Sequence, residues 1–182
     1  MKTLFEYAPR ILAAFKKRSQ RRLRKLNDYV LKEAAIEPNK LNFHLSIISY
    51  VLAKIVSKPR FLRRECEPML AEIENALEKL VRRMGRADEN EILGIFSEVE
   101  KAVSHLDERD PRFVTGLIEK GRLKMAATFY AQGMSLGVAA DMTGMEKQEI
   151  LDYAGQTMMF DRLEEEKSIT ERMKTARQLI SG

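Results

Sequence analysis

Tryptophan is absent, and cysteine occurs once, at Cys66. A lone thiol rules out an internal disulfide framework, so a reducing, cytoplasmic setting is expected. Glu65 and Glu67 flank that thiol, and it reads as a small buried hydrophobe rather than a reactive thiolate. The two histidines, His44 and His105, are far apart and lack ligand spacing, so no metal site is expected. His44 falls in the most apolar stretch and reads as a near-core side chain with one hydrogen bond. His105 sits near a helix C-terminus, where the dipole favours a cation. No apolar run approaches the roughly 20 residues that span a bilayer. Arg10, Lys16, Lys17 and Arg18 interrupt any signal-peptide core. A phosphate-binding glycine loop, a dinucleotide fingerprint and a Ser-His-Asp set in context are all missing. The chain therefore reads as a non-enzyme without cofactor.

Period-two alternation is missing as well, which leaves an all-α chain. The expected architecture is an N-terminal bundle of about four helices over residues 1–109. A helix-turn-helix unit over 110–161 and a C-terminal helical tail over 162–182 follow. Pro9 suits the first turn of a long helix reaching Ile36, and Glu37-Pro38-Asn39 breaks it. Leu41 to Val56 is apolar on all sides and so belongs at the centre. The stretch 60–84 is helical in spacing, with Pro68 predicting either a kink or a start near Glu67. Gly85 reads as a C-cap and Asp88 as the N-cap of a helix reaching Leu106. Asp107 to Pro111 is the candidate domain boundary. A short helix from Pro111 to Glu119, a break at Gly121 and a helix over 122–132 lead into the next unit.

Charge is unevenly spread. Residues 1–86 hold 20 Lys and Arg against 9 Asp and Glu, whereas residues 87–182 hold 12 against 18. Such asymmetry marks either a part that contacts a polyanion or a self-complementary contact. The densest run is Lys16, Lys17, Arg18, Arg21, Arg22, Arg24 and Lys25, with no carboxylate until Asp28. On a helix, Leu23 and Leu26 are left to dock, and the rest suits phosphate tracking or an acidic partner. Its apolar face is too thin for a membrane-surface helix. Glu164-Glu165-Glu166 reads as a solvated helix start.

Residues 134–154 carry the one specific pattern. Ser135 is an N-cap, and Leu136, Ala139, Ala140 and Met142 mark a short helix. Gly144 marks a tight turn needing φ > 0. Met145 drops into the core, and Ile150, Leu151 and Tyr153 anchor a second helix. Ala140 is small where two helices approach steeply, as in a helix-turn-helix. The second helix exposes Glu146, Lys147, Gln148, Glu149 and Asp152. Lys147 is a phosphate partner and Gln148 suits adenine, but three carboxylates repel the phosphate walls. Positive charge for any nucleic acid must come from residues 16–25, which requires that run and the second helix to share one face.

With Ala-Ala-Asp-Met-Thr-Gly-Met at 139–145 and Ile-Leu-Asp-Tyr-Ala-Gly-Gln-Thr at 150–157, the stretch 122–157 resembles small prokaryotic, archaeal-type antitoxin-like helix-turn-helix proteins. The resemblance implies a DNA-binding or degenerate DNA-binding module, sometimes paired with a nuclease-type toxin through a tail. The functional expectation is a DNA-binding regulator, with phosphate contacts from the basic helix and a homodimer reading paired half-sites. The alternatives are a protein-interaction module whose helix-turn-helix does not bind DNA, and an RNA-associated helical protein. Ile169, Met173, Ala176 and Ile180 share one face of a final helix over 164–180 and form the candidate partner or dimer surface.

Overall fold

A computed structural model describes residues 2–108 and 116–158. These residues form eight α-helices and no strand: α1 Lys2–Lys16, α2 Gln20–Ile36, α3 Lys40–Val56, α4 Glu67–Arg83, α5 Glu89–Asp107, α6 Leu117–Ala131, α7 Leu136–Thr143 and α8 Lys147–Gln156. None of them is long and apolar enough to cross a membrane. The final helix expected over 164–180, with Ile169, Met173, Ala176 and Ile180, lies outside the described residues. So does most of the candidate boundary at 107–111.

The long first helix is in fact two. The chain turns at Arg18, whose φ of 50° is left-handed. There, the Ser19 N–H donates to Ala14 O at 3.0 Å and the Arg18 N–H to Phe15 O at 2.8 Å, closing a Schellman-type end. Left-handed backbone costs an arginine about 1–2 kcal/mol. Its side chain offsets that cost by lying 4.9 Å from the Phe15 ring centroid and pairing with Glu74 at 2.7 Å. Pro9 lies in the interior of α1 rather than at its start. An interior proline costs about 3 kcal/mol. Burial of Tyr7, Ile11 and Phe15 exceeds that, at about 1.5–3 kcal/mol for each large side chain.

α3 is the hub, packing against α1, α2, α5, α6 and α7. Asn39 caps it, its Oδ1 accepting from the Asn42 N–H at 2.9 Å. Nearly every turn is buried on all sides, as its apolar sequence requires. The amide of Asn27 on α2 crosses to α3, donating to Ser46 O and Ser49 Oγ, each at 2.9 Å. α4 begins at Glu67, and the preceding residues form two short 3-10 turns, Pro59–Leu62 and Arg64–Cys66. Cys66 is buried. Asp88 caps α5 by accepting from the Glu91 N–H at 2.8 Å.

Gly121 does not break the chain: α6 runs through it from Leu117 to Ala131. A Cβ there would lie 2.8 Å from Val51 Cγ2, so the glycine marks where α6 presses on α3. Beyond it, α6 serves two cores. Met125 and Phe129 join the large core, with the Phe129 ring stacked on Phe43 at 4.3 Å. Ala126 and Ala127 join a small second core with Ala139, Ala140, Ile150 and Ala154. That core is mostly alanine, which lets α6, α7 and α8 approach closely.

Candidate nucleic-acid interface

In the 134–154 segment, Ser135 accepts from the Val138 N–H at 3.2 Å, and Gly144 turns the chain at φ 70°. Met145 is half-buried against the alanine core. Ile150 and Tyr153 anchor α8 along with Ala154, but Leu151 points outward, 37% exposed. Leu151 lies one residue past Ile150, about 100° around the helix, so the core cannot take both.

Glu146, Lys147, Gln148, Glu149 and Asp152 are exposed, as the pattern predicts. Two of the carboxylates have local work. Glu146 and Glu149 form a capping box at the start of α8, where negative charge also suits the dipole. The Gln148 amide donates to Asp152 Oδ1 at 2.8 Å, so the group suited to adenine is already engaged. Glu146 and Glu149 also line, with Glu119 and Arg122, a groove of about 470 Å³ between α5, α6 and α8.

The basic run does not form one stripe. Lys16 reaches Glu78, and Arg18 reaches Glu74, so these two cations bind α1 and its turn to α4. The ion pair holds the Glu78 carboxyl below its usual range and raises the Lys16 ammonium. Lys17, Arg21 and Arg22 are exposed, and Lys25 lies 5.9 Å from the Tyr29 ring centroid. Arg24 is different. It acts on Tyr50 of α3, and so does Tyr153 of α8. Burial pushes the Tyr50 hydroxyl up to about 12, Tyr153 adds to the rise, and Arg24 opposes it. Arg21 precedes Arg24 by one helical turn and shares its face.

Two further cations at that tyrosine escape the sequence pattern. Lys54 Nζ lies 5.4 Å and Lys124 Nζ 4.6 Å from the Tyr50 ring centroid. The Lys58 amine is held below its usual range by burial first, then by Arg60, Lys54 and Lys120, with Asp107 opposing. The signal was spacing: Tyr50 and Lys54 lie four residues apart on α3, as do Lys120 and Lys124 on α6.

His44 meets the expectation of a near-core histidine. Its Nδ1 donates to Glu100 Oε1 at 3.2 Å and its ring stacks on Phe96. Arg122 donates to the other Glu100 oxygen at 2.6 Å, joining α3, α5 and α6. His105, in the last turn of α5, pairs with Glu72 at 3.0 Å on the surface.

No family model matches the chain, and no curated protein or solved structure matches it significantly.

Proposed function

We propose that the chain binds duplex DNA through a helix-turn-helix formed by α7 and α8, with phosphate contacts from the exposed arginines of α2. Support comes from one observation above all: α2 presents Arg21, Arg22 and Arg24 to solvent, while α7 and α8 take the capped, Gly144-turned form that the pattern requires. The acidic residues of α8 weigh less against DNA than their number suggests, because Glu146 and Glu149 serve its N-terminus. They do limit base readout, so α8 positions the chain while the cations supply affinity.

The test is a gel shift of the full chain with duplex DNA and structured RNA across a salt series. Duplex binding that weakens steeply with salt is expected. No duplex binding at low salt sinks the proposal, and binding to RNA alone replaces it with the RNA-associated reading.

A second reading, an antitoxin-like protein-interaction module, is favoured by apolar exposure on the same segment. Val138 is 43%, Leu151 37% and Met158 65% exposed. A stable stoichiometric protein complex in the absence of duplex binding would favour it.

A further inference from the structure

α2 packs inward through Leu23, Leu26, Asn27, Val30 and Ala34, against α1 and α3. Its outward face carries Arg22, Lys25, Tyr29, Lys32 and Ile36, all exposed, at alternating steps of three and four residues. That spacing keeps them in one stripe along the helix, about 21 Å from end to end. Asp28 and Glu33 stand at its two edges. Lys16 and Arg18 are held by Glu78 and Glu74, but neither Arg22 nor Lys32 enters an ion pair among the described residues.

Tyr29 is 39% exposed, yet its ring is held in place. It stacks on the buried Tyr7 of α1, with centroids 6.2 Å and planes 20° apart. Lys25 Nζ lies 5.9 Å from the Tyr29 centroid, at the outer limit of cation–π range, so its flexible stem leaves the ring at little cost. A pre-oriented aromatic face between cations suits an unpaired base and the phosphates that flank it. The bases of a duplex are stacked on one another and cannot reach such a face. An anionic membrane suits it less, because an interfacial helix separates its apolar and cationic faces, whereas Tyr29 and Ile36 alternate with the cations.

We infer that the outward stripe of α2 binds single-stranded nucleic acid, with an unpaired base stacked on Tyr29 and neighbouring phosphates on Arg22, Lys25 and Lys32. This goes beyond duplex binding by α7 and α8. It shares the basic helix with that reading but rests on an aromatic ring that duplex binding does not use. Ile36, 79% exposed, offers a further base an apolar surface two turns on. Stacking on a π face tolerates any base, so affinity should vary little with sequence.

The experiment titrates the full chain with a labelled oligothymidine and with a duplex over a salt series. Wild type is compared with Tyr29→Ala, Tyr29→Phe, Arg22→Gln/Lys32→Gln and the control Lys101→Gln in the α4–α5 groove. Circular dichroism and thermal melting follow folding. Wild type and control should bind oligothymidine at low salt. Tyr29→Ala should bind roughly tenfold more weakly with the same log–log salt slope, since the ring carries no charge. Tyr29→Phe should match wild type. Arg22→Gln/Lys32→Gln should bind more weakly, its slope shallower by about 1.4, at about 0.7 for each phosphate of a single strand. The chain holds no tryptophan, so Tyr29→Trp places a single indole whose fluorescence a stacked base should quench. If Tyr29→Ala disturbs folding, Tyr29→Leu keeps an apolar contact with Tyr7 without a π face and should show the same loss. No oligothymidine binding at low salt, or wild-type affinity in Tyr29→Ala and Tyr29→Leu, overturns the site. Binding to phosphatidylserine–phosphatidylcholine vesicles but not to oligothymidine overturns it in favour of a membrane surface. Tyr29-dependent oligothymidine binding with no duplex binding keeps the site and sinks the helix-turn-helix proposal. Duplex binding with oligothymidine affinity indifferent to Tyr29 sinks the site alone.

Discussion

Gly121 of α6 rests against Val51 of α3 so closely that a Cβ would lie 2.8 Å from Val51 Cγ2 and 3.4 Å from Ile47 Cγ2. Both neighbours are buried, β-branched side chains in the interior of the hub helix, with no freedom to withdraw. This close approach sets how α6 lies on α3, and hence how Lys124 reaches Tyr50.

Gly121→Ala opposes two effects. Helix propensity favours alanine by about 1 kcal/mol. Overpacking a tight helix–helix approach costs about 1–3 kcal/mol. A net destabilisation of about 1 kcal/mol is expected in urea unfolding, with partial recovery in the Val51→Ala background. A stabilised Gly121→Ala would show that the α3–α6 interface yields.

Ile150 is the sole large buried side chain of the alanine-rich core among the described residues. Ile150→Ala should cost roughly 2–5 kcal/mol. In hydrogen exchange, protection should fall across α7 and α8 and persist in α3. Uniform loss over all helices would mean that the two cores unfold as one.

Glu100 carries a pH dependence. Burial raises its carboxyl, but hydrogen bonds and charge from His44 and Arg122 outweigh that and hold it below the usual range. A pKa depressed on folding gives stability that is present above the unfolded-state value and lost as pH falls through the folded one. Glu100→Gln should therefore flatten the acid limb of the stability profile and cost on the order of 1–3 kcal/mol near neutrality. An unaltered acid limb in denaturant melts would contradict the pairing.

Lys16 and Arg18 are occupied by Glu78 and Glu74. Glu74→Gln/Glu78→Gln should release both cations and raise duplex affinity severalfold at low salt, the gain fading as salt screens it. Equal affinity in wild type and variant would place those two residues away from any bound backbone.

Much of the fold was legible because its signals are local. Asp88 and Ser135 act as the caps expected of them, and Glu67 starts α4 just before Pro68. Gly144 takes the left-handed turn expected of it. The break at Arg18 was hidden because an arginine, not a glycine, occupies the left-handed position, held there by Phe15 and by Glu74 far along the chain. Gly121 misled in the opposite sense: its role is a close helix approach, which no local pattern distinguishes from a break. Within the candidate interface, the exposed residues of α8 and the arginines of α2 were legible, whereas the lysines at Tyr50 were not. Lys54 is one of two lysines in the apolar α3, Lys124 lies in the mixed segment α6, and only tertiary packing brings both to Tyr50.

The most direct test of DNA binding across α2 and α8 is the salt dependence of duplex affinity for wild type and for Arg21→Glu/Arg24→Glu. Each neutralised phosphate contributes about 0.9 to the log–log slope. Measurable wild-type binding at low salt is expected, with a weaker variant whose slope is shallower by about two. A wild type that binds no duplex at low salt, or a variant whose affinity and slope match wild type, would contradict DNA binding through these helices.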